Sequence, residues 1–255
     1  MITHKNIRVQ REGRLAQILL NRPPLNVMNI AMMHEISAAI DELAPQIDFL
    51  IFEGSGVKAF SAGADASDHK PERVAEMLQA FHGIFRKLWS SPVVTIAAVH
   101  GHCLGGGFEL ATFCDFSIAE ESAKFGQPEI KLGCFPPVAM VTFPQLAGMR
   151  IAMDLILSGR TVSAREAQQF GLISRVVPDG ALDAAVGALL NDLRALSPRV
   201  LGMARRTLWS TTGFDFDRSL RAVEDFYLGE LMKTDDAREG IRAFLEKRDP
   251  AWRGH

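Results

Sequence analysis

Short apolar runs alternating with stretches of helical periodicity constrain this chain more than any other feature of its sequence. "FLIFEGSG", "VVTIAAVHG" and "DFSIAEE" read as strands, each running into a loop. Between them lie helical patterns: a second helix is expected from about Glu72 to Trp89, stopped by Ser-Ser-Pro, and a third carries Glu109 and Leu110. Strand then helix, repeated, implies parallel strands joined by crossover helices, so the fold class is α/β. Ahead of this core, "IRVQREGRLAQILLN" reads as a hairpin around Glu-Gly, and "NIAMMHEISAAIDEL" places Ile30, Met33, Ile36, Ile40 and Leu43 at helical spacing. From about Val138 onward the pattern is almost wholly helical, with "LISRVVP" the one extended exception. No internal repeat, low-complexity segment or long linker interrupts it.

Charge and cysteine content exclude several functional classes. Lys plus Arg is 28 against 30 for Asp plus Glu, a net charge of −2, which gives no field for nucleic acid or an anionic membrane surface. Cys103, Cys114 and Cys134 form no C-x-x-C pair and read as reduced, partly buried thiols. The first residues lack the apolar core of a secretory signal, and "VVTIAAV" is far shorter than the roughly 20 residues that cross a bilayer. The expectation is a cytoplasmic protein.

"GHCLGGGFELATFCDF" carries three adjacent glycines, Gly105 to Gly107, where a helix begins. A helix-interior glycine costs about 1 kcal/mol relative to alanine, so something offsets it. A helix N-terminus presents unpaired N–H groups and the positive end of the dipole, and bare glycines let a ligand atom reach them. Close helix–strand packing is the alternative, and glycine serves both purposes. The spacing matches neither G-x-G-x-x-G nor a Walker A loop, so a nucleotide phosphate cradle is not favoured. "KAFSAGAD", residues 58–65, is a second small-residue loop after a strand. Two main-chain donors converging from such loops on one oxygen would make an oxyanion hole. An ordinary Gly-Ala turn is the plainer reading. Glu109 and Glu129 bring two carboxyl groups near these loops. Set at different proton affinities, they suit the addition of water across a double bond; as solvated or ion-paired glutamates they would do nothing.

"NRPPLN", "KAFSAGAD", "GHCLGGGFELATFCDFSIA", "FGQPEIKLG" and "LSGRTVSAREAQQFGLISRVVP" together resemble the crotonase, or enoyl-CoA hydratase/isomerase, family over nearly the whole chain. The resemblance implies a spiral of ββα units over residues 1–198 and a C-terminal helical trimerisation region over 199–255. It implies a homotrimer or a hexamer built as a dimer of trimers, and an acyl-CoA thioester substrate whose enolate is stabilised in an oxyanion hole. By position, the N–H groups of Ala64 and Gly106 would form that hole, and Glu109 and Glu129 would be the catalytic pair of a hydratase. Family members that only isomerise double bonds commonly lack one of the pair. Substrate contacts would come from Lys58 at the CoA phosphates, Ala62, Ala64 and Asp65 along the loop, Gly105 and Gly106, and Pro136 in the acyl pocket. No metal and no cofactor is implied, coenzyme A being part of the substrate.

Two stretches depart from the common pattern. Ser67 stands where many relatives carry a lysine two residues after the aspartate, so phosphate contacts would fall to Lys58, Lys70 or the C-terminal "EKR". "GCFPPVAMV" replaces a glycine-rich stretch and would stiffen one wall of the acyl pocket. "PPLNV" and "FPPVA" resemble the cyclohexa-1,5-diene-1-carbonyl-CoA hydratase branch, of anaerobic aromatic degradation. An isomerase, other enolate chemistry on the same scaffold and a non-catalytic binding protein are the competing readings. A serine hydrolase is not, because no G-x-S-x-G elbow is present. His100 and His102 lack a third metal ligand at suitable spacing, and Asp115 is expected to cap or tie a strand.

Overall fold

The computed structural model describes residues 4–211 and 213–254. The amino-terminal hairpin pairs β1 (Ile7–Glu12) with β2 (Leu15–Leu20) around Gly13. Helix α1 (Ile30–Leu43) is capped by Asn29, whose side chain accepts from the Met32 N–H, and it buries the apolar face read from the sequence. It leads into β3 (Phe49–Gly54), parallel to β2.

From there the chain winds in turns of two strands and a helix. β4 (Ala59–Ser61) precedes α2 (Val74–Ser90); β5 (Val94–Val99) and β6 (His102–Leu104) precede α3 (Gly106–Phe113). β7 (Phe116–Glu120) and β8 (Lys124–Gly126) lead through a single 3₁₀ turn, Pro128–Leu132, to α4 (Pro137–Ala147) and α5 (Met149–Ser158). The longer strand of each pair joins a six-stranded sheet, order β1-β2-β3-β5-β7-β10, while the short one joins a second sheet, order β4-β6-β8-β9. β9 (Thr161–Ser163), α6 (Ala164–Gln169) and β10 (Arg175–Val177) complete both sheets. β10 is the extended exception foreseen in "LISRVVP". β9 is a further strand inside the region expected to be helical, and it forms because its three residues close the edge of β8.

The larger sheet is covered on both faces, and residues alternate between them. Leu50, Phe52, Ala97 and Val99 join the main core against the helices, whereas Phe49, Ile51, Ile96 and Ala98 meet α7 (Leu182–Arg194) on the other face. That two-sided burial is why β5 reads as a near-continuous apolar run, interrupted only by Thr95. Each fully buried aromatic such as Phe52 contributes about 1.5–3 kcal/mol.

The last helices, α8 (Pro198–Thr211), α9 (Phe216–Gly229) and α10 (Asp235–Glu246), fold back on their own core. Asp115 ties the first of them down. One of its carboxylate oxygens accepts from both the Thr95 N–H and hydroxyl, and the buried Arg205 guanidinium donates to the carboxylate at 2.7 Å and to the Ser91 carbonyl at 2.8 Å. No described helix is long and apolar enough to cross a membrane.

Candidate active site

The two small-residue loops meet. β4 and β6 are parallel neighbours in the smaller sheet, so the residues that follow each strand emerge side by side. A methyl group on Gly63 would stand 3.0 Å from the Gly106 nitrogen, which measures how closely the loops approach. In the first loop, Met28 donates to the Gly63 carbonyl and accepts from the Asp65 N–H, and the Ala64 N–H between them has no hydrogen-bond partner among the described residues. In the second, Gly106 opens α3, where a first-turn N–H has no intrahelical acceptor.

The segment "NRPPLN" holds the first loop in place. Asn26 is fully buried, and its amide donates to the Ser55 carbonyl at 2.9 Å and the Ala59 carbonyl at 2.8 Å; the Ser61 hydroxyl donates back to the Asn26 carbonyl. Replacing Asn26 by alanine removes the donor from the buried Ala59 carbonyl and from the half-buried Ser55 carbonyl. A loss of about 2–4 kcal/mol in unfolding free energy is expected in urea titration. A change under 0.5 kcal/mol would remove Asn26 from this role.

The three glycines each answer to a different neighbour. A methyl on Gly105 would lie 2.5 Å from Glu129 Oε1, on Gly106 2.7 Å from the Phe81 ring, and on Gly107 2.4 Å from the Ser61 carbonyl oxygen. Close packing and an open approach to the site are therefore both present, divided among adjacent positions.

Glu109 and Glu129 face one chamber of about 60 Å³, whose wall also includes Ala64, Gly106, Pro136 and Pro137. Glu109 lies on the first turn of α3 and is buried. Its Oε1 accepts from the Ala139 N–H at 2.8 Å, in the first turn of α4. Burial pushes its carboxyl up to about 7, against the pull of the Ala139 and Val138 N–H groups, which favour the ionised form. Glu129, on the 3₁₀ turn after β8, is pushed well above the usual carboxylate range by burial and then by the neighbouring Glu109 charge. Glu109 thus ionises first and Glu129 keeps its proton. Fully buried Gln127, with its amide nitrogen turned toward the acid so that both its polar atoms are satisfied, donates to the two Glu129 oxygens at 3.1 and 3.3 Å.

Beside the chamber and sharing Ala62, Ala64, Pro128 and Leu132 with it runs a groove of about 830 Å³. Asp65 lines it, but its carboxylate is occupied: it accepts from the Ser67 N–H and hydroxyl and faces Arg22 at 3.7 Å. Asp65 thus caps the short 3₁₀ turn Ala66–His69, and Ser67 donates to that cap. Lys58 lines neither cavity. It is exposed on the turn before β4, at the far end of that strand from Ala64. The cations that do line the groove are Arg22, Lys131 and Arg248, the last being the final residue of "EKR".

Sequence reasoning missed the contribution of α2 and α9. Phe81 and His82, from α2, and Tyr227, from α9, line the chamber and are buried. Tyr227 is the chain's single tyrosine, which was the only available signal.

Two small-residue loops, two acids on one chamber and an adjoining groove make up the candidate site. The sequence profile described as enoyl-CoA hydratase/isomerase matches residues 10–255, and the chain belongs to that family. It is 37% identical over 246 residues, 96% of this chain and 95% of the relative, to a cyclohexa-1,5-dienecarbonyl-CoA hydratase of Thauera aromatica. It is 40% identical over 254 residues, 98% of each chain, to a probable enoyl-CoA hydratase of Mycobacterium bovis. Among solved structures, an enoyl-CoA hydratase/isomerase of Xanthobacter autotrophicus superposes with a TM-score of 0.85 at 32% identity, covering 98% of this chain and 100% of that one. An enoyl-CoA hydratase of Mycobacterium avium gives 0.88 at 24% identity over 98% and 100%, which adds to the evidence for the crotonase fold alone.

Proposed function

We propose that the protein is a hydro-lyase that adds water to an enoyl-CoA thioester, or removes it, through an enolate held by the Ala64 and Gly106 N–H groups. The observation that carries this reading is a pair of acids on one chamber, buried Glu109 and half-buried Glu129, both raised above the ordinary carboxylate range. The thioester oxygen rests between the two N–H groups. Ionised Glu109 takes a proton from water as its oxygen bonds to Cβ, and electron density moves onto the thioester oxygen as the enolate. Protonated Glu129 then delivers its proton to Cα. A proton passing from Glu109 to Glu129 restores the starting state. Hydrogen-bond donors that wait for the enolate cost no reorganisation, and removing one costs about 10²–10³ in rate.

The small, proline-walled chamber and the similarity to the Thauera relative support a compact acyl group, with cyclohexa-1,5-diene-1-carbonyl-CoA the leading candidate. Incubation of straight-chain, branched and cyclic enoyl-CoA thioesters in ¹⁸O-labelled water tests the reaction class. A hydratase places the label on Cβ. Proton exchange without label incorporation would indicate an isomerase.

Lys131 has no ion-pair partner among the described residues and borders the groove, so it is available to a CoA phosphate. Lys131→Ala is expected to raise KM for the CoA thioester about three- to tenfold with kcat retained. The same variant should leave the matching N-acetylcysteamine thioester, which has no phosphates, unchanged. Equal effects on both would overturn the assignment. We also propose the homotrimer or hexamer of the family; the exposed Met149, Met153 and Leu157 stripe on α5 supports a contact there, and a monomeric mass by light scattering would exclude it.

A further inference from the structure

Glu109 stands on a helix, but Glu129 has no such support. It lies on a 3₁₀ turn of five residues, Pro128–Leu132, a form too short to hold itself. Cys134, two residues past the turn, staples it. Its N–H donates to the Glu129 carbonyl at 3.1 Å, and its Sγ lies 3.6 Å from the Leu132 carbonyl oxygen. Burial pushes the Cys134 thiol up to about 11, so it keeps its proton, and a carbonyl can only accept that proton. The sulfur is left to accept in turn, and the Tyr227 hydroxyl, on α9, is hydrogen-bonded to it. Burial likewise keeps Tyr227 a phenol with a proton to give. The order is therefore fixed: Tyr227 donates to Cys134, and Cys134 donates to both carbonyls of the turn.

A phenylalanine would fill the same space. Tyr227 packs edge-on against Phe135, ring centroids 5.0 Å apart at 78°, a contact that needs no hydroxyl. The chain has 16 phenylalanines and one tyrosine, and that tyrosine is 1% exposed on the wall of the acid chamber. We infer that Tyr227 is a positioning residue for Glu129: acting through Cys134, it holds the turn that presents this acid to the chamber. The inference rests on the role given to Glu129 in the hydration above. A hydrogen bond to sulfur is weak, so losing it misplaces the acid without unfolding the site. Released from Tyr227, the thiol turns and the 3₁₀ turn loosens. Glu129 then gains water and distance from Glu109, which weakens the two influences that raise its carboxyl.

The infrared band of the protonated Glu129 carboxyl, identified by its disappearance in Glu129→Gln, reports this placement without any substrate. Its titration midpoint is expected to fall by about one pH unit in Tyr227→Phe. Cys134→Ala should lower it likewise. Cys134→Ser, which still donates to a carbonyl and accepts from a phenol, should keep most of the wild-type value. Glu109, His69, His82 and Tyr227 are the other titratable groups on the chamber wall; of these, only the Glu109 charge raises Glu129, and no variant alters Glu109. In hydration of an enoyl-CoA thioester, Tyr227→Phe should lower kcat about tenfold with KM within about threefold of wild type. It should slow Glu129→Gln little further. An unmoved midpoint in Tyr227→Phe or in Cys134→Ala overturns the inference, as does a Tyr227→Phe loss of undiminished size in the Glu129→Gln background. Should Tyr227→Phe fail to fold, the contrast between Cys134→Ala and Cys134→Ser decides. Wild-type hydration with unmoved midpoints rejects the inference alone. Shifted midpoints in a protein that hydrates no thioester reject the hydratase reading alone.

Discussion

Glu129→Gln is expected to lower kcat for hydration by about 10²–10⁴ and, at pH 8, to raise the melting temperature. The two changes share one cause. A carboxyl group buried beside a second one is costly to ionise, and that cost is what keeps a proton on Glu129 for delivery to Cα. Glutamine keeps the volume and removes both the proton and the cost. Glu109→Gln should behave the same way, since a glutamine oxygen still accepts from the Ala139 N–H while no longer removing a proton from water. The sign follows from linkage. The Glu109 carboxyl rises from 4.5 in the unfolded chain to about 7 when folded, so the unfolded chain releases the proton first as pH rises. Stability is then complete below pH 4.5 and declines through the window from 4.5 to about 7, by about 3 kcal/mol in all. The glutamine variants should therefore match wild type near pH 4.5 and exceed it by several degrees at pH 8. Because Glu109 must be ionised, kcat/KM of the wild type should fall on the acid side of pH 7. Near wild-type turnover in both variants, measured by loss of the conjugated-thioester absorbance, would remove the acids from the mechanism; a stability gain independent of pH would remove the electrostatic account of it.

The strands of the larger sheet and the site's two acids were legible because each carries a strong local signal. β5 is buried at every position and apolar at all but Thr95, since both of its faces are covered, and the glycine run before Glu109 has few uses outside a close approach. The smaller sheet was not legible. β4, β6, β8 and β9 are three residues each, too short for a period of two to register, and they are strands only because their partners from distant turns lie beside them. "KAFSAGAD" and "GHCLGGG" accordingly read as loops, although each begins with a strand that aims the loop. His82 and Tyr227 sit on helix faces that are otherwise apolar, so their pattern is that of core residues. Lys58 was singled out for a phosphate contact, whereas Arg22 and Lys131, which line the groove, lie within "NRPPLN" and "FGQPEIKLG" and drew no attention as charges. Motif spacing does not say which charges border a groove, because that depends on which loops nonlocal folding brings together.

Gly105→Ala is expected to reduce kcat/KM by about 10² without altering either acid, and this variant tests how the glycine run serves catalysis. Gly105 has φ +53° and ψ −129°, a conformation open to glycine and strained for alanine by about 1–3 kcal/mol. Its added methyl would meet Glu129 Oε1 at 2.5 Å, and the end of that side chain is the softer partner, so the carboxyl group swings away. A displacement of about 1 Å in a catalytic group costs about 10²-fold. Gly107→Ala differs, because its methyl meets the Ser61 carbonyl at 2.4 Å, main chain of β4 that cannot rotate aside. That variant should lose stability first, by prying α3 from the smaller sheet. The pathway through Glu129 is separable by a double-mutant cycle. If Gly105→Ala acts by displacing the acid, the Gly105→Ala, Glu129→Gln double variant should be little slower than Glu129→Gln alone. Full additivity would mean that the glycine matters for another reason, such as access of the thioester oxygen to the Gly106 N–H, and that Glu129 is not held in place by the absence of a side chain opposite it.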